Sequence, residues 1–87
     1  MEKKDCLIAV FENCKGVDGV KLLREARIKA RKLIILTKCP KPTDAFPIVK
    51  AVADNNMDFP VRHYHGAEPA DAVALEKCAT YEVVSVE

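Results

Sequence analysis

The chain has 87 residues, 49% of them hydrophobic and 31% charged, which suits one small domain with a single core and leaves no length for a second. Its longest apolar run, Cys6 to Phe11, falls well short of the roughly 18 residues of a membrane span and lacks a cleavable-signal layout, so a cytoplasmic protein with no membrane partner is expected. The net charge of +1 conceals a segregation: residues 15–41 carry nine basic side chains against two acidic ones, whereas residues 42–87 carry eight acidic against three basic. Such asymmetry suits a basic surface facing a polyanion, and the plainer alternative is a charge-rich helix keeping its outer face solvated.

In chain order, CLIAVF (6–11) fits a buried parallel strand or a turn of buried helix, and periodicity does not separate the two in so short a run. From Val20 to Lys32, the apolar residues Val20, Leu23, Ala26 and Ala30 recur at helical spacing among lysines and arginines, predicting a helix with one packed and one basic face. Leu33 to Thr37 is a continuous apolar run closed by Cys39-Pro40-Lys41-Pro42, the pattern of a central strand covered on both faces. Thr43 or Asp44 can cap a helix running to about Asp54, with Phe46, Val49 and Ala53 inward, Pro47 in its first turn and Asn55-Asn56 ending it. Pro60 to Tyr64 is a short strand, Gly66 a turn, Glu68 to Cys78 a helix opened by Pro69, and Tyr81 to Val86 a last strand. The alternation predicts one domain over residues 1–87, an α/β/α sandwich around a mostly parallel or mixed sheet.

The stretch from Lys32 to Gly66, KLIILTKCPKP at its start and FPVRHYHG at its end, resembles the kink-turn RNA-binding ribosomal proteins of archaea and eukaryotes. This group contains large-subunit proteins seven-Ae and thirty-e, and the resemblance is closer to thirty-e. In that family a basic helix leads into a buried strand with a Cys-Pro turn, then a helix, a short His-Tyr-Gly strand, a cysteine-bearing helix and a final strand. Here these features fall on Arg24 to Lys32, Leu33 to Pro40, His63 to Gly66, Cys78, and Tyr81 to Val86. The resemblance implies a three-layer, thirty-e-like sandwich with a small mixed sheet and a helix at residues 2 to 13. It also implies a non-catalytic module that binds structured RNA within a ribonucleoprotein. The family's RNA-contacting turn, G-x-N-x-x-x-K, corresponds to Gly16 through Leu22, with Asp18 in the asparagine slot and Leu22 in the lysine slot. In a second register Gly19 is the turn glycine and Lys21 the basic residue. Of the family's second loop, L-G-x-A-C-G, residues Ala74 to Ala79 keep Cys78.

The residues support such a site on physical grounds. Glycines at 16 and 19 permit positive φ and close approach, the first backbone N–H groups of the helix near Val20 can meet phosphate oxygens, and Lys21 and Arg24 add charge beside them. A second loop at Gly66 would complete a clamp on a bulged or kinked RNA. The candidate RNA-binding residues are therefore Lys15, Gly16, Asp18, Gly19, Lys21, Arg24 and Gly66. An ordinary loop-to-helix connection is the competing account of the same turn.

A different chemistry competes for this segment. If CLIAVF is a strand, Cys14 lies on a strand-to-helix loop where the helix dipole and Lys15 would lower its thiol pKa, an arrangement similar to the phosphocysteine loop of bacterial sugar-phosphotransferase IIB proteins but without their Ser/Thr residues. Cysteines at 6, 14, 39 and 78 lack paired C-x-x-C spacing, and reduced, mostly buried thiols are expected. His63 and His65 share one strand face without a third ligand at diagnostic spacing, so no metal is expected. With no nucleotide-binding or nucleophile-elbow motif and a solvated acidic helix at Glu68 to Glu76, neither a cofactor nor a catalytic residue is assigned.

Overall fold

A computed structural model describes residues 2–15, 19–56 and 58–86. Six consecutive apolar residues, every one buried, form strand β1 (Cys6–Phe11), and the five buried residues LIILT form β2 (Leu33–Thr37). Between them runs α1 (Gly19–Lys29). A 3-10 turn at Pro42–Ala45 then leads into α2 (Phe46–Asn55), followed by β3 (Val61–His65), α3 (Pro69–Glu76) and β4 (Tyr81–Ser85). The strands lie in the order β3-β2-β1-β4 and every pairing is parallel, with Leu7 opposite Leu33, Leu33 opposite Val61, and Cys6 opposite Tyr81.

One expectation drawn from the ribosomal resemblance, the helix over residues 2 to 13, is corrected here, and of the two sheet types that the strand-helix alternation allows, mostly parallel or mixed, the first is found. Residues 6–11 form a strand, and the sheet is parallel throughout. The physical reason is the central place of β1. A strand flanked by β2 and β4, with helices over both faces, must be apolar at every position, and CLIAVF has no polar residue to break that continuity.

Alternation along the two central strands divides the interior in two. Leu7, Ala9, Phe11, Leu33 and Ile35 point toward α1 and α2 and pack with Leu23, Ala26, Ile48 and Val52. Cys6, Ile8, Val10, Ile34 and Leu36 point the other way and pack with Ala72 and Cys78 beneath α3. The result is the α/β sandwich expected from the strand-helix alternation.

The phase of two helices differs from the periodicity reading. In α2 the inward positions are Ile48 and Val52, continuing from buried Ala45, while Phe46 is 64% exposed and Ala53 is exposed. The 3-10 turn sets this rotation: once Ala45 is seated in the core, positions three and seven further on follow it inward. In α1, Gly19, Leu22, Leu23 and Ala26 are buried and Val20 is exposed. Helix α3 opens with the Glu68 N–H donating to Asp71 Oδ2 at 3.1 Å and closes at Lys77, whose φ of 54° turns the chain into the left-handed region.

The cysteines also depart from expectation. All four are joined, Cys6 to Cys78 and Cys14 to Cys39, where reduced thiols were expected. The pairs are 72 and 25 residues apart in the chain, and only the strand order brings them together. Cys78 precedes β4, whose first residue lies beside Cys6. Cys14 and Cys39 follow the ends of the neighbouring strands β1 and β2. No helix among the described residues is long and apolar enough to cross a membrane.

Candidate nucleic-acid interface

Parallel α/β sheets carry their sites outside the carboxyl ends of the strands, where successive connections leave toward opposite faces. Here α1 and α2 cover one face and α3 the other, so that reversal falls between β1 and β4, and the β1–α1 connection emerges beside it. The predicted residues Lys15, Gly19 and Lys21 belong to this connection and the helix start that follows; Gly16 and Asp18 lie outside the described residues. Gly66 ends β3 at the same edge, two strand spacings from β1, about 10 Å. The two loops of the expected clamp therefore share one edge of the sheet.

Their glycines do different work. Gly66 has a φ of +80° and its N–H donates to the Thr37 carbonyl at 2.8 Å, with open space where a Cβ would stand. Gly19 is buried and backs onto α2: a Cβ there would lie 2.9 Å from the Ala51 carbonyl carbon. Its lack of a side chain serves close helix packing, a role that the local sequence does not reveal.

Several basic residues meet carboxylates, while Lys3, Lys4, Lys41 and Lys77 are exposed with no carboxylate within 4.0 Å among the described residues. Lys29 lies 3.5 Å from Glu82, Lys32 2.9 Å from Glu76, Lys38 2.8 Å from Glu68 and Lys50 2.8 Å from Asp54. Arg24, Arg27 and Arg31 are exposed and have no carboxylate within 4.0 Å among the described residues. A spacing of three places Arg24 and Arg27 on one exposed face of α1, and Arg31 lies just beyond the helix, after Ala30 has bridged to Lys4 and with its own N–H donating to the Lys4 carbonyl at 3.0 Å. Arg24 and Arg27 also line a shallow groove of about 260 Å³ between α1 and α2, together with Val20, Leu23, Ile28 and Asn55. Arg24 is among the candidate residues that the sequence suggests; Arg27 and Arg31 are not.

Beside this edge, two histidines converge on one hydroxyl. Thr37 is fully buried, and its Oγ1 lies 2.8 Å from both His63 Nε2 and His65 Nδ1. The single hydroxyl proton can be donated to one ring, so a neutral partner ring donates its own N–H to the oxygen. Burial, reinforced by the neighbouring His65, holds His63 below its ordinary pKa. No group of three metal-ligating side chains occurs among the described residues. Cys14, the candidate nucleophile, is on a strand-to-helix connection as that reading required, but its sulfur is bonded to Cys39 and is not free to attack phosphorus.

No family model matches the chain, and neither curated proteins nor solved structures provide a match.

Proposed function

We propose that the protein is a non-catalytic RNA-binding module, part of a ribonucleoprotein, that docks structured RNA on the outer face of α1 and the adjoining β1–α1 connection. The observation that carries this reading is Arg24 and Arg27 on the exposed face of α1 with Arg31 just beyond it, none within 4.0 Å of a carboxylate among the described residues, whereas Lys29 and Lys32 of the same segment meet Glu82 and Glu76. Like charges three residues apart, as Arg24 and Arg27 are within α1, disfavour a helix by a few tenths of a kcal/mol, a cost that an anionic partner reverses. Arginine forks suit phosphate oxygens, and the exposed Val20 and Ile28 beside them offer an apolar surface to an unstacked base. The docking surface proposed is this helix face, with Gly19 packed against Ala51 behind it.

Fluorescence anisotropy with a bulged RNA hairpin over a salt series tests the proposal. Affinity should fall steeply as salt rises, because each phosphate contact releases counterions. Replacing Arg24, Arg27 and Arg31 together with alanine should flatten that dependence and weaken binding more than about tenfold at low salt. Absence of binding at low salt, or an unchanged triple variant, overturns it.

A further inference from the structure

The two disulfides occupy different environments. Cys6 and Cys78 are 2% and 8% exposed and lie within the interior beneath α3, at the edge of the sheet where strands begin. Cys14 and Cys39 lie at the opposite edge, where parallel sheets carry their reactive groups. This second pair is itself unequal. Cys39 is 3% exposed and is followed by a proline, whereas Cys14 is partly exposed on the β1–α1 connection. Cys14 is also a non-glycine residue held at a φ of 54°, in a region that ordinary side chains avoid and that clusters at working sites.

We propose that Cys14–Cys39 is an exchange-active disulfide that accepts electrons from a dithiol, while Cys6–Cys78 is a structural crosslink. A thiolate of the dithiol attacks Sγ of Cys14, the more exposed residue of the pair though partly packed against the core, forming a mixed disulfide and breaking the bond to Cys39. The electron pair departs on Cys39 Sγ, which takes up a proton. The second thiolate of the dithiol then attacks the sulfur of its own molecule in the mixed disulfide, and Cys14 Sγ leaves and is protonated. Two electrons and two protons have moved, the dithiol has become a disulfide, and Cys14 and Cys39 are thiols. Attack is directed to Cys14 because exchange needs an in-line approach to an accessible sulfur, and Cys39 is closed to it. This activity does not depend on RNA binding.

The test uses the full chain under native conditions with dithiothreitol as the dithiol. Samples are acid-quenched at intervals, alkylated and mapped by peptide mass spectrometry, with circular dichroism recorded in parallel. Cys14 and Cys39 should become reduced at least tenfold faster than Cys6 and Cys78, with the fold retained. In a second arm, Cys39→Ser and Cys14→Ser are each offered oxidised glutathione. Cys39→Ser should take glutathione onto Cys14, and Cys14→Ser should react at least tenfold more slowly at Cys39. Equal reduction of both pairs, earlier reduction of Cys6–Cys78, or reduction only on unfolding overturns the proposal. Equal reactivity of the two variants also overturns it. The wild-type kinetics decide by themselves if either variant does not fold.

Discussion

Gly19 and Ala51 set the distance between α1 and α2: the position a Cβ would occupy on Gly19 lies 2.9 Å from the Ala51 carbonyl carbon and 3.0 Å from the Val52 nitrogen. Both are backbone atoms of a helix and do not swing aside as a side-chain tip would. Gly19→Ala gains helix propensity of at most about 1 kcal/mol, and overpacking costs about 1–3 kcal/mol. The clash wins because the helices must separate to relieve it. Urea denaturation should show a net loss of about 1–2 kcal/mol; an equal or higher midpoint would mean that the two helices part at no cost.

Glu76 gathers three partners near the end of α3. Tyr64 Oη donates to its Oε2, Lys32 Nζ donates to Oε1 at 2.9 Å, and Arg62 Nε lies 3.8 Å from Oε1. The hydrogen bonds from Tyr64 and Lys32 hold its carboxyl below the ordinary value of 4.5. A carboxylate with a depressed folded pKa contributes stability above the unfolded pKa and loses it as pH falls through the folded value. Glu76→Gln should therefore lower the urea midpoint at pH 7, and the gap from wild type should close as pH falls below 4.5. A gap of constant size from pH 7 to acid would show that the charge contributes nothing.

The hydroxyl of Thr37 is the shared partner of two imidazoles at 2.8 Å. Thr37→Val keeps the shape and removes both hydrogen bonds at a buried position, a loss of about 1–3 kcal/mol. The folded state holds the His63 proton less tightly than the ordinary value of 6.5, so the unfolded chain binds more protons below that pH. Stability is then complete above 6.5 and declines as pH falls through the folded pKa. Histidine NMR titration should show His63 releasing its proton below 6.5, and His63→Asn should reduce the decline in stability on the acid side.

Charge along α1 predicts unequal roles for neighbouring cations. Lys29 is already turned toward Glu82 on β4, at 3.5 Å, whereas Arg24, Arg27 and Arg31 have no such carboxylate among the described residues. Lys29→Ala should lower RNA affinity less than Arg27→Ala does, although each variant removes one positive charge from the same helix. Equal losses would show that only net charge matters and would remove the arginine face as a site.

Periodicity was sufficient to place β2, β3, β4 and α3 within a few residues, because β-branched runs bounded by Pro, Gly and Asn have few alternatives. It also located the basic helix whose outer face carries the proposed interface. Where it stopped, the missing information was non-local. CLIAVF is equally apolar as helix or strand, and pairing with both β2 and β4 makes it a strand. The face that α2 buries depends on the 3-10 turn that seats Ala45, a rotation no spacing within Phe46–Asn55 records. Gly19 reads locally as a turn glycine, and only the approach of Ala51 from another helix makes it a packing residue. Cys14 is the same residue in every reading of the loop, and the adjacency of β1 and β2 brings Cys39 to it from 25 positions away. Neighbours along the chain are enough to give α1, β2, β3, α3 and β4 and the segregation of charge; the strand conformation of Cys6–Phe11 and the partnerships between Cys14 and Cys39, among Thr37, His63 and His65, and between Gly19 and Ala51 come from the tertiary structure, since strand order and helix packing alone bring those groups within reach.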